Sequence, residues 1–105
     1  MQWIRIFGSE QEAKNRIQKG EPQLVVIGKT RICLVRVEEN FFAVGDKCSH
    51  NGESLSKGKI NFMGEVICPW HGYRFNLKTG QCAENYPDIP IYPIRQSEDG
   101  VYIGI

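Results

Sequence analysis

The sequence predicts an all-β protein built from antiparallel strands. From Gln23 to Ile105, short segments rich in β-branched and aromatic residues recur. Turns that contain Gly or Asn separate these segments. Many short strands joined by Gly-rich turns are typical of a sandwich or barrel-like fold. The chain has 105 residues, the size of one domain, so we expect a single domain over residues 1–105.

The first twenty residues carry the one helical signal. Gln2–Phe7 alternates apolar and polar residues and predicts a short strand. Ser9 followed by Glu12 is the signature of a capping box, in which the serine accepts a backbone N–H at the helix start. We therefore expect one short N-terminal helix from Glu10–Lys19, ended by Gly20.

The remaining strands follow in hairpin order after Pro22. Gly28-Lys29 is expected to join the first two of them, and Ser97–Gly100 the last two. The predicted strands are Leu24–Ile27, Arg31–Glu38, Phe41–Val44, Val66–Cys68, Tyr73–Asn76, Gln81–Ala83, Tyr92–Arg95 and Val101–Ile105.

Charge and hydropathy exclude several classes of function. Thirteen basic and twelve acidic residues are interleaved and give a net charge of +1, so nothing indicates binding to nucleic acid or to an anionic membrane. The N-terminus has no basic region followed by an apolar one, and no apolar run approaches the ~20 residues of a membrane helix. We expect a cytoplasmic protein, where thiols stay reduced and Cys/His clusters usually bind metal.

Two short runs contain both histidines and two of the four cysteines. They are Cys48-Ser49-His50 and Cys68-Pro69-Trp70-His71, and residues 51–67 lie between them. Each run offers one sulfur and one nitrogen, so the two together form a four-ligand metal-binding set. In a Rieske [2Fe–2S] centre, two cysteines hold one iron and two histidines hold the other. The candidate ligands are Cys48, His50, Cys68 and His71.

Two other interpretations of these runs are open. Two cysteines and two histidines also form a tetrahedral zinc site, which would make the chain a zinc-stabilised interaction module without redox function. Zinc fingers, however, usually pair like ligands, whereas each run here mixes Cys with His. Ordinary core cysteines beside solvated histidines are the second alternative. The position of both histidines within three residues of a cysteine argues against it.

The order C-x-H, then seventeen residues, then C-x-x-H resembles the Rieske family closely. The resemblance extends from about Gln23 onward and includes Leu55–Gly58 and the run CPWHGYRF at Cys68–Phe75. It implies stacked antiparallel β-sheets and one [2Fe–2S] cluster. The cluster would lie at the tip of a smaller subdomain, about residues 46–76, that carries both ligand loops. The helix before Gly20 is not something that the resemblance implies.

Four positions distinguish this chain from respiratory and photosynthetic Rieske proteins. Those proteins have a further cysteine in each ligand loop, where this chain has Glu53 and Trp70, and the two cysteines form a disulfide. They also have two hydroxyl residues that donate hydrogen bonds to cluster sulfur, where this chain has Tyr73 and Phe75. Such hydrogen bonds stabilise the reduced cluster, so their loss lowers the reduction potential.

These differences make the chain similar to the small Rieske ferredoxins of bacterial aromatic-ring dioxygenase systems. Such ferredoxins pass single electrons from a flavin-dependent reductase to a terminal oxygenase. The small subunit of assimilatory nitrite reductase is also similar and stays open as an alternative. The resemblance implies a one-electron carrier rather than an enzyme. Cys48 and Cys68 would hold the inner iron, and His50 and His71 the iron that faces solvent.

Three further features complete the sequence-based expectations. Cys33 lies in an apolar run and is expected to be a buried thiol, and Cys82 to be a strand residue. A disulfide between them is not expected in a reducing compartment. The Asn85–Pro90 stretch resembles the proline-containing loop that covers the cluster in this family, and a rigid connector between strands is the alternative.

Overall fold

A computed structural model describes residues 1–105, which form ten strands, one α-helix and one 3-10 turn. The elements are β1 (Trp3–Phe7), α1 (Glu10–Arg16), β2 (Gln23–Ile27), β3 (Thr30–Val37), β4 (Asn40–Gly45), the 3-10 turn (Leu55–Lys57), β5 (Lys59–Ile60), β6 (Glu65–Ile67), β7 (Arg74–Asn76), β8 (Ile91–Tyr92), β9 (Ile94–Ser97) and β10 (Gly100–Gly104). The strands make three antiparallel sheets of order β1-β10-β9, β2-β3-β4-β8 and β5-β6-β7. The predicted all-β class with one short N-terminal helix is confirmed.

The centre of β3, in the sheet β2-β3-β4-β8, is buried on both faces, because this strand contributes side chains to two separate cores. Ile32 and Leu34 pack with Val101 in the core that also includes residues of α1. Cys33 and Val35, on the opposite face, belong to a second core that reaches the β5-β6-β7 sheet. A strand that is buried on both faces carries a continuous apolar run, which explains the sequence Ile-Cys-Leu-Val in β3.

The helix α1 begins as predicted but ends three residues early. The side chain of Ser9 accepts the backbone N–H of Glu12 at 3.0 Å, which confirms the predicted cap. At the other end, the Arg36 guanidinium of β3 donates to the carbonyls of Lys14 at 2.8 Å and Ile17 at 3.3 Å. These bonds satisfy helix-terminal carbonyls from outside, so the chain leaves the helix at Ile17 rather than at Gly20.

Among the later strands, two predictions were wrong and one strand was missed. Gln81–Ala83 forms a single bridge, between Cys82 and Phe75, rather than a strand. Tyr92–Arg95, predicted as one strand, is divided at Pro93 between β8 and β9, which belong to different sheets. The missed strand, β5, has two residues, too few to show a hydrophobic period. The third sheet, β5-β6-β7, lies within the predicted subdomain of residues 46–76, and its β6 leads directly into Cys68. The structure contains no helix with the length and apolar character needed to cross a membrane.

Candidate metal centre

Both ligand loops are closed in the same way. The backbone N–H of Cys48 donates to the carbonyl of Glu53 at 2.8 Å, and that of Cys68 donates to the carbonyl of Tyr73 at 2.8 Å. In each loop the bond spans five residues and turns the cysteine inward. Cys48 and Cys68 are each only 1% exposed, and both belong to the core that contains Phe75.

The two histidines, in contrast, lie at the surface. The rings of His50 and His71 are both exposed, and their centroids are 6.1 Å apart with the planes at 81°. His71 has a φ of 66°, a left-handed conformation that few residues other than glycine adopt. The ring of Trp70, 59% exposed, lies 5.9 Å from that of His71. The structure thus places the two cysteine thiols together inside the core and the two imidazoles near each other at the surface.

This arrangement provides two pairs of donors, two neighbouring buried thiols and two surface imidazoles. In a Rieske centre each iron takes two protein ligands, so two pairs of donors meet the requirement. Burial raises the pKa of Cys68, and the neighbouring Cys48 thiol raises it further because the two sulfurs are close. Iron binding must therefore displace thiol protons.

Asn51 links the two loops. Its Oδ1 accepts the backbone N–H of Glu53 at 2.9 Å, and its Nδ2 lies 3.8 Å from Sγ of Cys68. Oδ1 lies at the same 3.8 Å from Sγ, so the Cys68 thiol can donate to Oδ1, and a Cys68 thiolate can accept from the amide NH₂. The sequence indicates a turn at Asn51-Gly52 but not this contact with a residue seventeen positions away.

Asp46 is a further residue that the sequence did not reveal. The interleaved charges around the ligand loops predict that it belongs to a solvated rim, yet it is only 2% exposed. Its carboxylate accepts the hydroxyl of Ser54 and, at 2.7 Å, the backbone N–H of Ser56. Arg31 lies 3.8 Å away. Asp46 therefore joins the start of the first ligand loop to the 3-10 turn that ends it.

The variant Asp46→Ala is expected to destabilise the protein by about 2–3 kcal/mol, because two polar groups lose their buried acceptor. Urea unfolding together with iron content checks this expectation. Asp88→Ala is the control, since Asp88 is exposed and surface substitutions usually stay within about 0.5 kcal/mol. Equal losses of stability in the two variants would contradict the structural role of Asp46.

A second ion pair supports the strand that follows the second loop. Oε1 of Glu84 accepts the backbone N–H of Arg74 at 2.8 Å, and Oε2 accepts Nε of the same residue at 2.8 Å. The backbone N–H is the larger cause and the guanidinium adds to it, so the pKa of Glu84 lies below its ordinary 4.5. The same pairing raises the pKa of Arg74.

A lowered carboxyl pKa makes the stability depend on pH. The Glu84 carboxylate stabilises the fold fully above its ordinary pKa of 4.5, and this contribution is lost as the pH falls through the lower folded value. Glu84→Gln is expected to flatten the stability profile below about pH 4.5, as measured by thermal unfolding. Glu98→Gln, at an exposed position, provides the control. Profiles of equal slope for Glu84→Gln and the wild type would refute this expectation.

The segment Asn85–Pro90 lies against the first ligand loop. The hydroxyl of Ser49 donates to the carbonyl of Pro87 at 2.5 Å, and the ring of Tyr86 lies 4.3 Å from that of His50. The hydroxyl of Tyr86 also lies 3.5 Å from that of Tyr73 and raises the pKa of Tyr73. This arrangement favours the covering loop over the connector as the interpretation of the segment.

The remaining two cysteines are both free and buried. Cys33 is the more deeply enclosed, and burial, with a smaller effect of Asp46, raises its pKa to about 12. Cys82 also lies in the core that contains Cys48 and Cys68. The prediction that Cys33 is a buried thiol is confirmed.

Comparison with known families gives a match to the Rieske [2Fe–2S] domain over residues 8–93. The chain belongs to the Rieske family. The match begins before α1, so the family likeness extends further toward the N-terminus than the sequence motifs indicated. The cofactor of this family is one [2Fe–2S] cluster.

Two curated relatives show how different the proteins that carry this Rieske domain are. Apoptosis-inducing factor 3 of Homo sapiens is 33% identical over 90 residues, which are 83% of this chain but 14% of that protein. This Rieske chain therefore spans about one-seventh of that relative. Ferredoxin CarAc of Metapseudomonas resinovorans is 35% identical over 80 residues, which are 73% of each chain.

Solved structures agree on the Rieske fold. A ferredoxin in complex with the oxygenase of carbazole 1,9a-dioxygenase superposes with a TM-score of 0.81 at 27% identity, over 97% of this chain and 92% of that one. A Mycobacterium tuberculosis protein described as an NADH-dependent nitrite reductase small subunit superposes with a TM-score of 0.82 at 21% identity, over 97% and 93%. The second likeness concerns the fold alone.

Proposed function

We propose that this Rieske domain is a one-electron carrier that receives electrons from a flavin-dependent reductase and delivers them to a terminal oxygenase. The observation that carries the proposal is the division of the site, with buried thiols and exposed imidazoles. The likeness to ferredoxin CarAc over most of both chains supports it. So does the likeness to a ferredoxin solved in complex with an oxygenase. The chain is, in this proposal, a carrier in the cytoplasm and not itself an enzyme.

The proposed ligands are Cys48 and Cys68 for one iron and His50 and His71 for the other. When bound, a [2Fe–2S] cluster supplies one-electron oxidation and reduction. The two cysteines hold their sulfurs inside the core and exclude water from them. The two imidazoles present their edges to the surface, where a partner protein can approach. Trp70, exposed beside His71, is part of the face that such a partner would meet.

Electron transfer through purified components tests the proposal. The protein, prepared without oxygen, is expected to be red-brown and to show a rhombic electron paramagnetic resonance signal after reduction. NADH and a flavin-dependent ferredoxin reductase are expected to reduce it, and a terminal Rieske oxygenase to reoxidise it. A colourless, zinc-containing protein would instead establish the interaction module. Stable co-purification with a large sirohaem enzyme, without exchange to an oxygenase, would establish the nitrite reductase subunit.

The reduction potential is expected to be low, about −150 mV. Phe75 is fully buried and has no donor group, and the hydroxyl of Tyr73 has the hydroxyl of Tyr86 as its partner. Phe75 therefore supplies no hydroxyl hydrogen bond to sulfur, and Tyr73 supplies none while its hydroxyl donates to that of Tyr86. A redox titration followed by electron paramagnetic resonance measures it. A midpoint above about +100 mV would show that other donors compensate.

A further inference from the structure

The two histidines of the site have different surroundings. The ring of His50 has two aromatic neighbours, Tyr73 at 4.2 Å and Tyr86 at 4.3 Å between centroids, tilted by 58° and 56°. The two tyrosine rings are themselves 4.8 Å apart in an edge-to-face arrangement. Three rings that all lie within 5 Å of one another form a packed group, which we call the His50 clamp: His50, Tyr73 and Tyr86.

The ring of His71 has no neighbour at such a distance. Its nearest aromatic neighbours are Trp70 at 5.9 Å, His50 at 6.1 Å and Tyr73 at 6.2 Å. A ring in close contact with two others has less freedom to rotate than a ring whose nearest aromatic neighbours are about 6 Å away. The orientation of His50 is therefore restricted from two directions, and that of His71 less so.

The clamp joins three separate parts of the chain. His50 belongs to the first ligand loop, Tyr73 ends the second, and Tyr86 comes from the segment Asn85–Pro90. Two polar contacts hold the last of these in place. Ser49 donates to the carbonyl of Pro87 at 2.5 Å, and the hydroxyls of Tyr73 and Tyr86 lie 3.5 Å apart. Asn85, with a φ of 67°, turns the chain immediately before Tyr86.

We propose that Tyr86 is a positioning residue that, with Tyr73, fixes the orientation of the His50 ring as an iron ligand. The proposal rests on the proposed function, because it takes His50 as a ligand. Replacing a residue that orients a metal-binding histidine typically lowers the affinity for the metal about 10–100-fold. The aromatic ring of Tyr86, rather than its hydroxyl, makes the contact with His50.

Three variants of the cluster-loaded protein test the clamp. Tyr86→Ala is expected to release iron to a chelator about tenfold faster than the wild type. Tyr86→Phe keeps the ring and is expected to release iron at a rate close to that of the wild type. Tyr102→Ala is the matched control, because it also removes a tyrosine ring but lies in β10, in the sheet β1-β10-β9 rather than beside the ligand loops. Equal release from Tyr86→Ala and Tyr102→Ala, or equally fast release from Tyr86→Phe and Tyr86→Ala, would overturn the proposal.

Pulsed electron paramagnetic resonance measures the nitrogen couplings of the histidine ligands. A loss of protein stability alone would not change these couplings. In the reduced protein, Tyr86→Ala is expected to alter the nitrogen couplings of one histidine ligand and to leave those of the other unchanged. Unchanged couplings, or equal changes in both, would reject the clamp while the cluster and its ligands stand.

A wild-type protein that holds no cluster would refute the proposed function but still allow the clamp to be tested. That protein would be diamagnetic, and nuclear Overhauser contacts between the His50 ring and both tyrosine rings are then expected. The absence of these contacts would overturn the clamp independently.

Discussion

The variant Cys68→Ala is expected to purify without iron and without acid-labile sulfide. Cys68 is nearly inaccessible to solvent and lies beside Cys48, so bulk water has no access to take its position as a ligand. Cysteine thiolates are the usual protein ligands of iron–sulfur clusters. With Cys68 replaced, only the sulfur of Cys48 remains, and one iron lacks a ligand. Elemental analysis and the visible spectrum of protein prepared without oxygen measure the loss.

Cys82→Ala is the matched control for this prediction. Cys82 is 2% exposed and belongs to the same core as Cys68, so the two substitutions remove the same atoms from similar surroundings. Cys82→Ala is expected to lose about 1 kcal/mol of stability and to retain its iron. The ligand assignment would fail if Cys68→Ala kept a full complement of iron, or if both variants lost it equally.

The candidate ligands could be predicted because each pair lies within four consecutive residues. Cys48 with His50, and Cys68 with His71, require only that two loops face each other. The β3 strand could be predicted for a similar reason, since burial on both faces leaves an uninterrupted apolar run. Ligand spacing and hydrophobic pattern are local properties, so a short stretch of sequence is enough to indicate them.

The residues that support the ligands could not be predicted in the same way. Asp46 follows the last residue of β4 and precedes the exposed Lys47, and its burial depends on the hydrogen bonds that its carboxylate accepts from Ser54 and Ser56. The helix α1 ends early because of Arg36, twenty residues beyond Arg16. Tyr86 meets His50 although they are far apart in the sequence. These contacts depend on the tertiary fold, which no local pattern specifies.

Gly58→Ala is expected to have a large effect on stability, because the added methyl would meet the backbone of a neighbouring strand. A Cβ at Gly58 would lie 1.9 Å from the carbonyl oxygen of Ile67, which is backbone and cannot rotate away. Its φ of −88° suits any residue, so the conflict is steric and not conformational. Relief requires β5 and β6 to separate, at a cost of about 3 kcal/mol or more.

The displacement would also reach the metal site. Ile67 pairs with Lys59 and immediately precedes Cys68, so a shift of its carbonyl moves the cysteine. We therefore expect Gly58→Ala to lose both stability and iron, as measured by urea unfolding and elemental analysis. Gly64→Ala is the control from the same hairpin. A Cβ added at Gly64 would have no atom within 4 Å, and the φ of Gly64 is +78°.

Gly64→Ala is expected to keep its iron and to lose only about 1–2 kcal/mol of stability, which is the cost of placing an alanine in the left-handed conformation. The pair separates two reasons for which a β-hairpin contains glycine. At Gly64 the reason is backbone conformation, and at Gly58 it is the close approach of a neighbouring strand. If Gly58→Ala retained iron and stability at the level of Gly64→Ala, the spacing of β5 and β6 would not determine the position of Cys68, and the second ligand loop would have to be held by the Arg74–Glu84 pair instead.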